Sequence, residues 1–424
     1  MQRWILGLWA ALLAPSAWGQ DLVVHCGRLL DGTGRPAQTA VSLIIQAGQV
    51  ARIVPGYDSL PGVAVLNCRN RTVLPGLIDC HVHLDHEHSE DDLAIEVRRE
   101  PAEQAYYAAA YAKATLRAGF TTVRDLGGNG VNLALRNAIA KGLVPGPRVI
   151  CAGTPIGSTG SHMDPTNGYN ATFRTGLEPA AGVADGADAV RRAVRRQIQA
   201  GADVIKVAAT GGVLSYVKDG SKPQFTQTEL EAAVQTAQDY GLRVAAHAHG
   251  AEGIKRALRA GVASIEHGTL MDDEAIALFK QKGAWYVPTL TAGRSVADSA
   301  RKPGHYPPII AEKARALGPK MMGTFAKAYK AGVKIAFGTD AGVFTHGLNY
   351  LEFGYMVEAG MPPMQAIVSA TRSAAELLGL QDKIGTIEPG KTADIIAVDG
   401  DPLQDIAALG RVRTVVQGGK VVEF

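Results

Sequence analysis

Residues 74 to 83 read Leu-Pro-Gly-Leu-Ile-Asp-Cys-His-Val-His, a short apolar run that ends by delivering His81 and His83 two positions apart. Side chains alternate faces along a strand, so a spacing of two points both imidazoles to the same side. Two imidazoles converging from one strand end make half of a metal site, and imidazole suits zinc and its first-row neighbours.

Outward from this run, apolar β-type stretches alternate with helical ones from Pro75 to about Leu380, the pattern of a parallel sheet wound with crossover helices. Eight strands are expected, at about 76–83, 119–126, 146–153, 203–209, 242–248, 262–267, 285–290 and 333–340. Helices are expected between them, for example over Pro101–Arg117, Asp185–Ala200 and Thr228–Tyr240, where apolar residues recur with a period of 3.6. Eight such units predict an α/β fold of the (β/α)8 TIM-barrel type. The segments on either side, Asp21 to Val73 and Ile384 to Val422, return to short strands and turns, and are expected to pair into one small β-sandwich. The expected organisation is therefore a signal peptide over 1–19, sandwich over 20–74, barrel over 75–382 and sandwich again over 383–424.

Composition narrows the function. The 424 residues carry 43 Lys+Arg against 40 Asp+Glu, too even a balance for a phosphate-binding surface, so nucleic acid is not an expected partner. At the N-terminus, Arg3 precedes the apolar run Trp4 to Ala14, which Pro15 interrupts before Ala17-Trp18-Gly19. That run is too short for a membrane anchor and reads as a cleavable secretory signal, placing the protein in the periplasm or outside the cell. Cys26, Cys68, Cys80 and Cys151 lack the spacing of a zinc knuckle or disulfide scaffold; only Cys26 and Cys68 are candidates to pair.

In a TIM barrel, reactive side chains sit at the C-terminal strand ends. Ligand-type residues fall on five of them: His81 and His83, Lys206, His247 and His249, His267, and Asp340. One strand-end histidine alone is most often a hydrogen-bonded structural residue. Five strand ends closing on one barrel mouth are not explained by packing. Lys206 lies within the apolar run Asp203 to Ala209, where an ammonium carries a desolvation cost. A neutral amine there can capture carbon dioxide as a carbamate, an anion able to bridge two cations. The other reading is an ammonium that snorkels to solvent or pairs with a carboxylate. His86 and His88 lie past the strand end and read as loop residues.

As a set, Pro75-Gly76-Leu77-Ile78-Asp79 leading into His81-x-His83, then Lys206, His247, His267, Asp340 and the closing Gly390 to Asp394, resemble the amidohydrolase superfamily. Within it they are similar to the imidazolonepropionase-like branch, with its Xaa-Pro dipeptidases and ochratoxin-hydrolysing amidohydrolases. The resemblance covers nearly the whole mature chain. It implies that His81, His83 and Asp340 hold one metal and His247 and His267 another, with carboxylated Lys206 and a hydroxide bridging, and with zinc as the usual ion. It also implies Asp340 as general base, then acid. By the same analogy His162 and Tyr216 would bind a substrate carboxylate; His249, two positions from His247 and so on the same side of the strand, is expected to touch substrate or support a ligand by a hydrogen bond. The expected activity is hydrolysis of amide bonds in Xaa-Pro dipeptides or N-acyl amino acids such as ochratoxin A. Rival readings are a cyclic-amide hydrolase, a lactonase or phosphotriesterase, and a metal-dependent binding protein without chemistry. Such barrels often form homo-oligomers, though no segment here declares an interface.

Overall fold

The computed structural model describes residues 21–89, 92–174 and 182–424. The signal-peptide reading concerns residues 1–19, outside that set. Among the described residues, fifteen strands occur in three sheets.

The first sheet has seven strands: β1 (Leu22–Leu29), β2 (Gln38–Gln46), β3 (Gln49–Pro55) and β4 (Ala64–Pro75) from the start of the chain, and β13 (Ile395–Val398), β14 (Val412–Gln417) and β15 (Lys420–Val421) from its end, in the order β15-β14-β13-β4-β1-β2-β3. The ends meet where β13 runs antiparallel to β4, Ile395 facing Pro75. One step further on, the Gly76 amide donates to Asp394 O at 2.8 Å. Gly76 is needed there, because a Cβ would stand 2.1 Å from Thr121 Oγ1. A separate apolar cluster including Val24, Leu43, Ile45, Ile395 and Val416 forms beneath this sheet. Cys26 and Cys68 are register partners across β1 and β4, and all four cysteines are free thiols.

The other two sheets are wholly parallel. One contains β5 (Leu77–Val82), β6 (Phe120–Asp125) and β7 (Arg148–Cys151). The other contains β8 (Ile205–Ala208), β9 (Val244–Gly250), β10 (Ser264–Leu270), β11 (Trp285–Val287) and β12 (Lys334–Ile335). Parallel bridges cross both seams, Ile156 to Val207 on one side and Val82 to Ala341 on the other. All eight expected strands are present and the helices alternate with them, so the fold is α/β. The helices Pro101–Arg117, Ala187–Ala200 and Gln227–Asp239 lie on or within two residues of the expected ranges.

The last strand departs from expectation. An eight-residue strand is expected over 333–340, but β12 ends at Ile335; beyond it the Phe337 amide donates to Ser369 O at 3.0 Å and Asp340 lies in the left-handed region, φ 62°. The main core lies between strands and helices and takes in Leu77, Val123, Val207, Ile265, Tyr286 and Phe353.

Candidate metal centre

The residues expected at the strand ends come together. Ring centroids run His83 to His81 at 5.4 Å, His81 to His267 at 5.1 Å, His267 to His247 at 4.6 Å and His247 to His162 at 4.4 Å. His249 lies 4.7 Å from His247 and 5.0 Å from His267. Asp340 reaches into the same space, with Oδ1 3.2 Å from His83 Nε2 and 3.4 Å from His81 Nε2. His81, His267 and Asp340 form one group of potential ligands, with an atom from each within 4.8 Å of the others. It cuts across the two ligand sets the resemblance implies, so the strand ends form one continuous donor surface.

Each ring is aimed by a hydrogen bond at its far nitrogen. His81 Nδ1 donates to Glu266 Oε2 at 2.9 Å, and His83 Nδ1 to Gly127 O at 2.7 Å. His267 Nδ1 lies 2.8 Å from Thr289 Oγ1, and His249 Nδ1 2.7 Å from Thr269 Oγ1. His247 is turned the other way, with Nε2 on Gly211 O at 2.9 Å, which leaves Nδ1 as its lone-pair nitrogen. Anchoring one ring nitrogen and freeing the other is the arrangement a metal-ligating histidine requires.

Electrostatics agree with that reading. Burial, with neighbouring rings and Lys206, holds His247 and His267 well below the ordinary imidazole value, so both keep their lone pairs. Burial and the nearby Lys206 bring His81 down to about 4. Burial would raise Asp340, but His81, His83 and Lys206 outweigh it and hold the carboxyl at about 2. Its Oδ1 is a buried atom without a hydrogen-bond partner. Lys206 is 1% exposed, its Nζ 3.4 Å from His81 Nε2, and burial lowers it to about 8. The donor set of imidazoles, ionised carboxylate and deprotonatable lysine thus suits divalent cations.

Backbone strain marks the same place. Among the described residues, positive φ occurs outside glycine at five positions, and three belong here: His267 at 70°, Thr289 at 52° and Asp340 at 62°. Such conformations cost about 1–3 kcal/mol each and persist where surrounding structure dictates them.

Several supporting residues carried a sequence signal that the functional reading did not use: charges inside apolar strands, which must be paired when buried. Glu266, fully buried, accepts from Arg124 Nη2 at 3.0 Å and Ser264 Oγ at 2.5 Å besides His81. Asp79 accepts from the amides of His81 and Thr339, from Thr339 Oγ1 and from Asn349 Nδ2, tying β5 to the segment that carries Asp340. Glu352 accepts from the amides of Leu290 and Thr291 and so fixes the turn at Thr289. No sequence spacing announces that last contact.

Of the expected substrate binders, His162 and His249 join the histidine cluster. His162 Nδ1 is a buried atom without a hydrogen-bond partner, and a Cβ at Gly212 would stand 2.4 Å from its ring. Tyr216 lies outside the cluster of rings, 48% exposed, with its ring against Gly168. Its loop is held by Lys313, whose Nζ donates to Gly212 O, Ser215 O and Val217 O.

This combination of fold and buried donor cluster defines a metal-dependent hydrolase. The amidohydrolase family profile matches residues 72–422, and the chain belongs to that family of hydrolases acting on carbon–nitrogen bonds. It is 33% identical to ochratoxinase from Aspergillus niger, over 97% of this chain and 88% of that one. It is 28% identical to imidazolonepropionase from Rhizorhabdus wittichii, over 78% of this chain and 80% of that one. A solved Xaa-Pro dipeptidase with bound methionine in its active site superposes with a TM-score of 0.93 at 47% identity, over 96% of this chain and all of that one. No helix among the described residues is long and apolar enough to cross a membrane.

Proposed function

We propose that this chain is a binuclear, zinc-type amidohydrolase that releases an amino acid from Xaa-Pro dipeptides or N-acyl amino acids. The observation that carries the reading is Lys206, a buried lysine lowered to about 8 among imidazoles and an ionised aspartate. Carbamate formation there adds the negative charge that a mononuclear site does not require. The names of the ochratoxinase and dipeptidase relatives support the substrate class. On the same reading the two parallel arcs make one (β/α)8 barrel over 75–382, the seven-stranded sheet is a satellite sandwich, and residues 1–19 direct export.

His81, His83, His247, His267, Asp340 and carboxylated Lys206 would hold the cations. Two divalent cations, when bound, acidify a water and polarise the scissile carbonyl. The chain supplies the remaining parts of the mechanism. Asp340, ionised across the neutral range, takes the proton from the attacking water and passes it to the leaving nitrogen. Glu266 and Thr289 keep the His81 and His267 rings in place throughout. His162, within reach of His247, and Tyr216 on the Lys313-held loop would face the substrate carboxylate.

The test is amino-acid release by zinc-loaded protein from Xaa-Pro dipeptides, other dipeptides, N-acyl-phenylalanines including ochratoxin A, and the matching carboxamides. Release from free-carboxylate substrates only is expected. Silence across the panel from protein with the strand-end cluster fully loaded overturns the substrate class, and a single ion in that cluster at saturation overturns the binuclear site.

A further inference from the structure

Apart from the strand-end cluster, a second set of ligand-type side chains assembles on the loop that follows β5. His86, His88 and Asp92 each offer one ligand atom, and these atoms lie within 4.8 Å of one another. His86 Nε2 stands 3.8 Å from Asp92 Oδ2, and His88 Nδ1 meets that same oxygen. The local sequence explains the convergence. His-Glu-His places two rings two positions apart, and Asp92 opens the helix Asp92–Arg98 four residues after His88. The other carboxylate oxygen, Oδ1, is already engaged by the Ser89 amide at 2.8 Å and Ser89 Oγ at 3.3 Å. Oδ2 is thereby turned toward the imidazoles.

The surroundings hold this group in place. The His88 amide donates to Gly342 O at 2.6 Å, and His346 Nε2 lies 2.9 Å from His86 O. The His88 ring stacks on Tyr306 at 5.3 Å, and its Nε2 is a buried atom without a hydrogen-bond partner. Burial and the neighbouring His83, His88 and Arg99 outweigh Asp92 and keep the His86 ring below its ordinary value. Two imidazoles and one carboxylate suit zinc, nickel or copper; calcium and magnesium prefer all-oxygen shells.

We propose that His86, His88 and Asp92 form a further transition-metal site beside the mouth of the barrel, separate from the His81–Asp340 cluster. An ion there would bind the loop after β5 to the head of the Asp92 helix. Because His88 and His86 also contact Gly342 and His346, it would stiffen the segment after Asp340 as well. This inference is independent of how many ions the main cluster takes.

The experiment counts metal per chain on the full-length protein, stripped with chelator, reloaded with Zn²⁺ or Co²⁺ and desalted. Wild type is compared with His88→Ala, Asp92→Asn and, as the reciprocal control, His267→Ala. Expected is one ion fewer per chain in His88→Ala, at least a tenfold weaker last ion in Asp92→Asn, and an unchanged affinity for that last ion in His267→Ala. Equal metal content in wild type, His88→Ala and Asp92→Asn overturns the site and leaves a histidine–aspartate ion pair. So does a loss in His88→Ala that extends to all bound ions while Asp92→Asn keeps the wild-type count.

Discussion

At the residue scale, Asp340 and His83 behave as a coupled pair whose chemistry can be read by titration. Asp340 is held at about 2, while burial of His83 is outweighed by its contact with Asp340, and the ring is raised to about 9. A histidine whose folded value lies above its ordinary 6.5 adds stability that is complete below 6.5 and lost as pH rises through 9. Metal-stripped protein should therefore lose thermal stability between about pH 6.5 and 9, by up to roughly 3 kcal/mol. Asp340→Asn should flatten that slope, which a series of melting curves in chelator would show; an unchanged slope would refute the pairing. The same substitution should lower kcat of the loaded enzyme by about 10²–10⁴, since it removes the proton carrier, and should also weaken metal binding, because Asp340 is one of the proposed cation ligands.

At the element scale, what matters is how strands and turns aim the ligands. Glu266 on β10 holds His81 on β5 and Arg124 on β6, so one carboxylate sets the relation of three elements. Burial would raise its pKa, but Arg124 and His81 bring it down to about 2. Glu266→Gln should weaken metal binding by about 10–100-fold through loss of ring orientation. It should also destabilise the fold by about 3–5 kcal/mol, because Arg124 is left buried without its counter-charge. Chelator competition and urea unfolding measure the two effects separately. Lys313, on the helix Pro308–Leu317, acts on the loop that carries Tyr216 through its three carbonyl contacts. Lys313→Met should raise KM for free-carboxylate substrates by about tenfold and leave metal content intact, as expected for a residue that positions a binding loop. A change in kcat alone would place Lys313 elsewhere in the mechanism.

At the scale of the whole molecule, the chain ends lock the satellite sheet to the parallel arcs. Asp394 Oδ2 accepts from Arg148 at 2.9 Å, its Oδ1 from the Gly418 amide at 2.8 Å, and its backbone oxygen from Gly76. Asp394→Ala should cost about 2–4 kcal/mol of stability, from the loss of charged hydrogen bonds with one partner side chain buried. Activity per folded molecule should be unchanged, as read from urea unfolding and from kcat at saturating metal.

The eight strands and the residues at their ends were legible because both signals are local. Alternating apolar runs end in ligand-type side chains at a spacing set by strand geometry, as in His81-x-His83 and His247-x-His249. Lys206 was legible for a related reason, since a charge within an apolar run must be paired, modified or neutralised. Three features depended on contacts between residues far apart in the chain. Glu352 reaches Thr291 across 61 positions, Asp79 reaches Asn349 across 270, and the grouping of His81 with His267 and Asp340 forms only when three strands close together. The left-handed conformation of Asp340, φ 62°, is likewise held by its surroundings against the local preference for extended chain. The sequence alone thus determined the parallel strands and the donor residues at their ends, because periodicity and residue type act locally. The tertiary structure alone decided which donors share one centre, which carboxylates aim them, and that His86 and His88 meet Asp92, because these depend on packing across the fold.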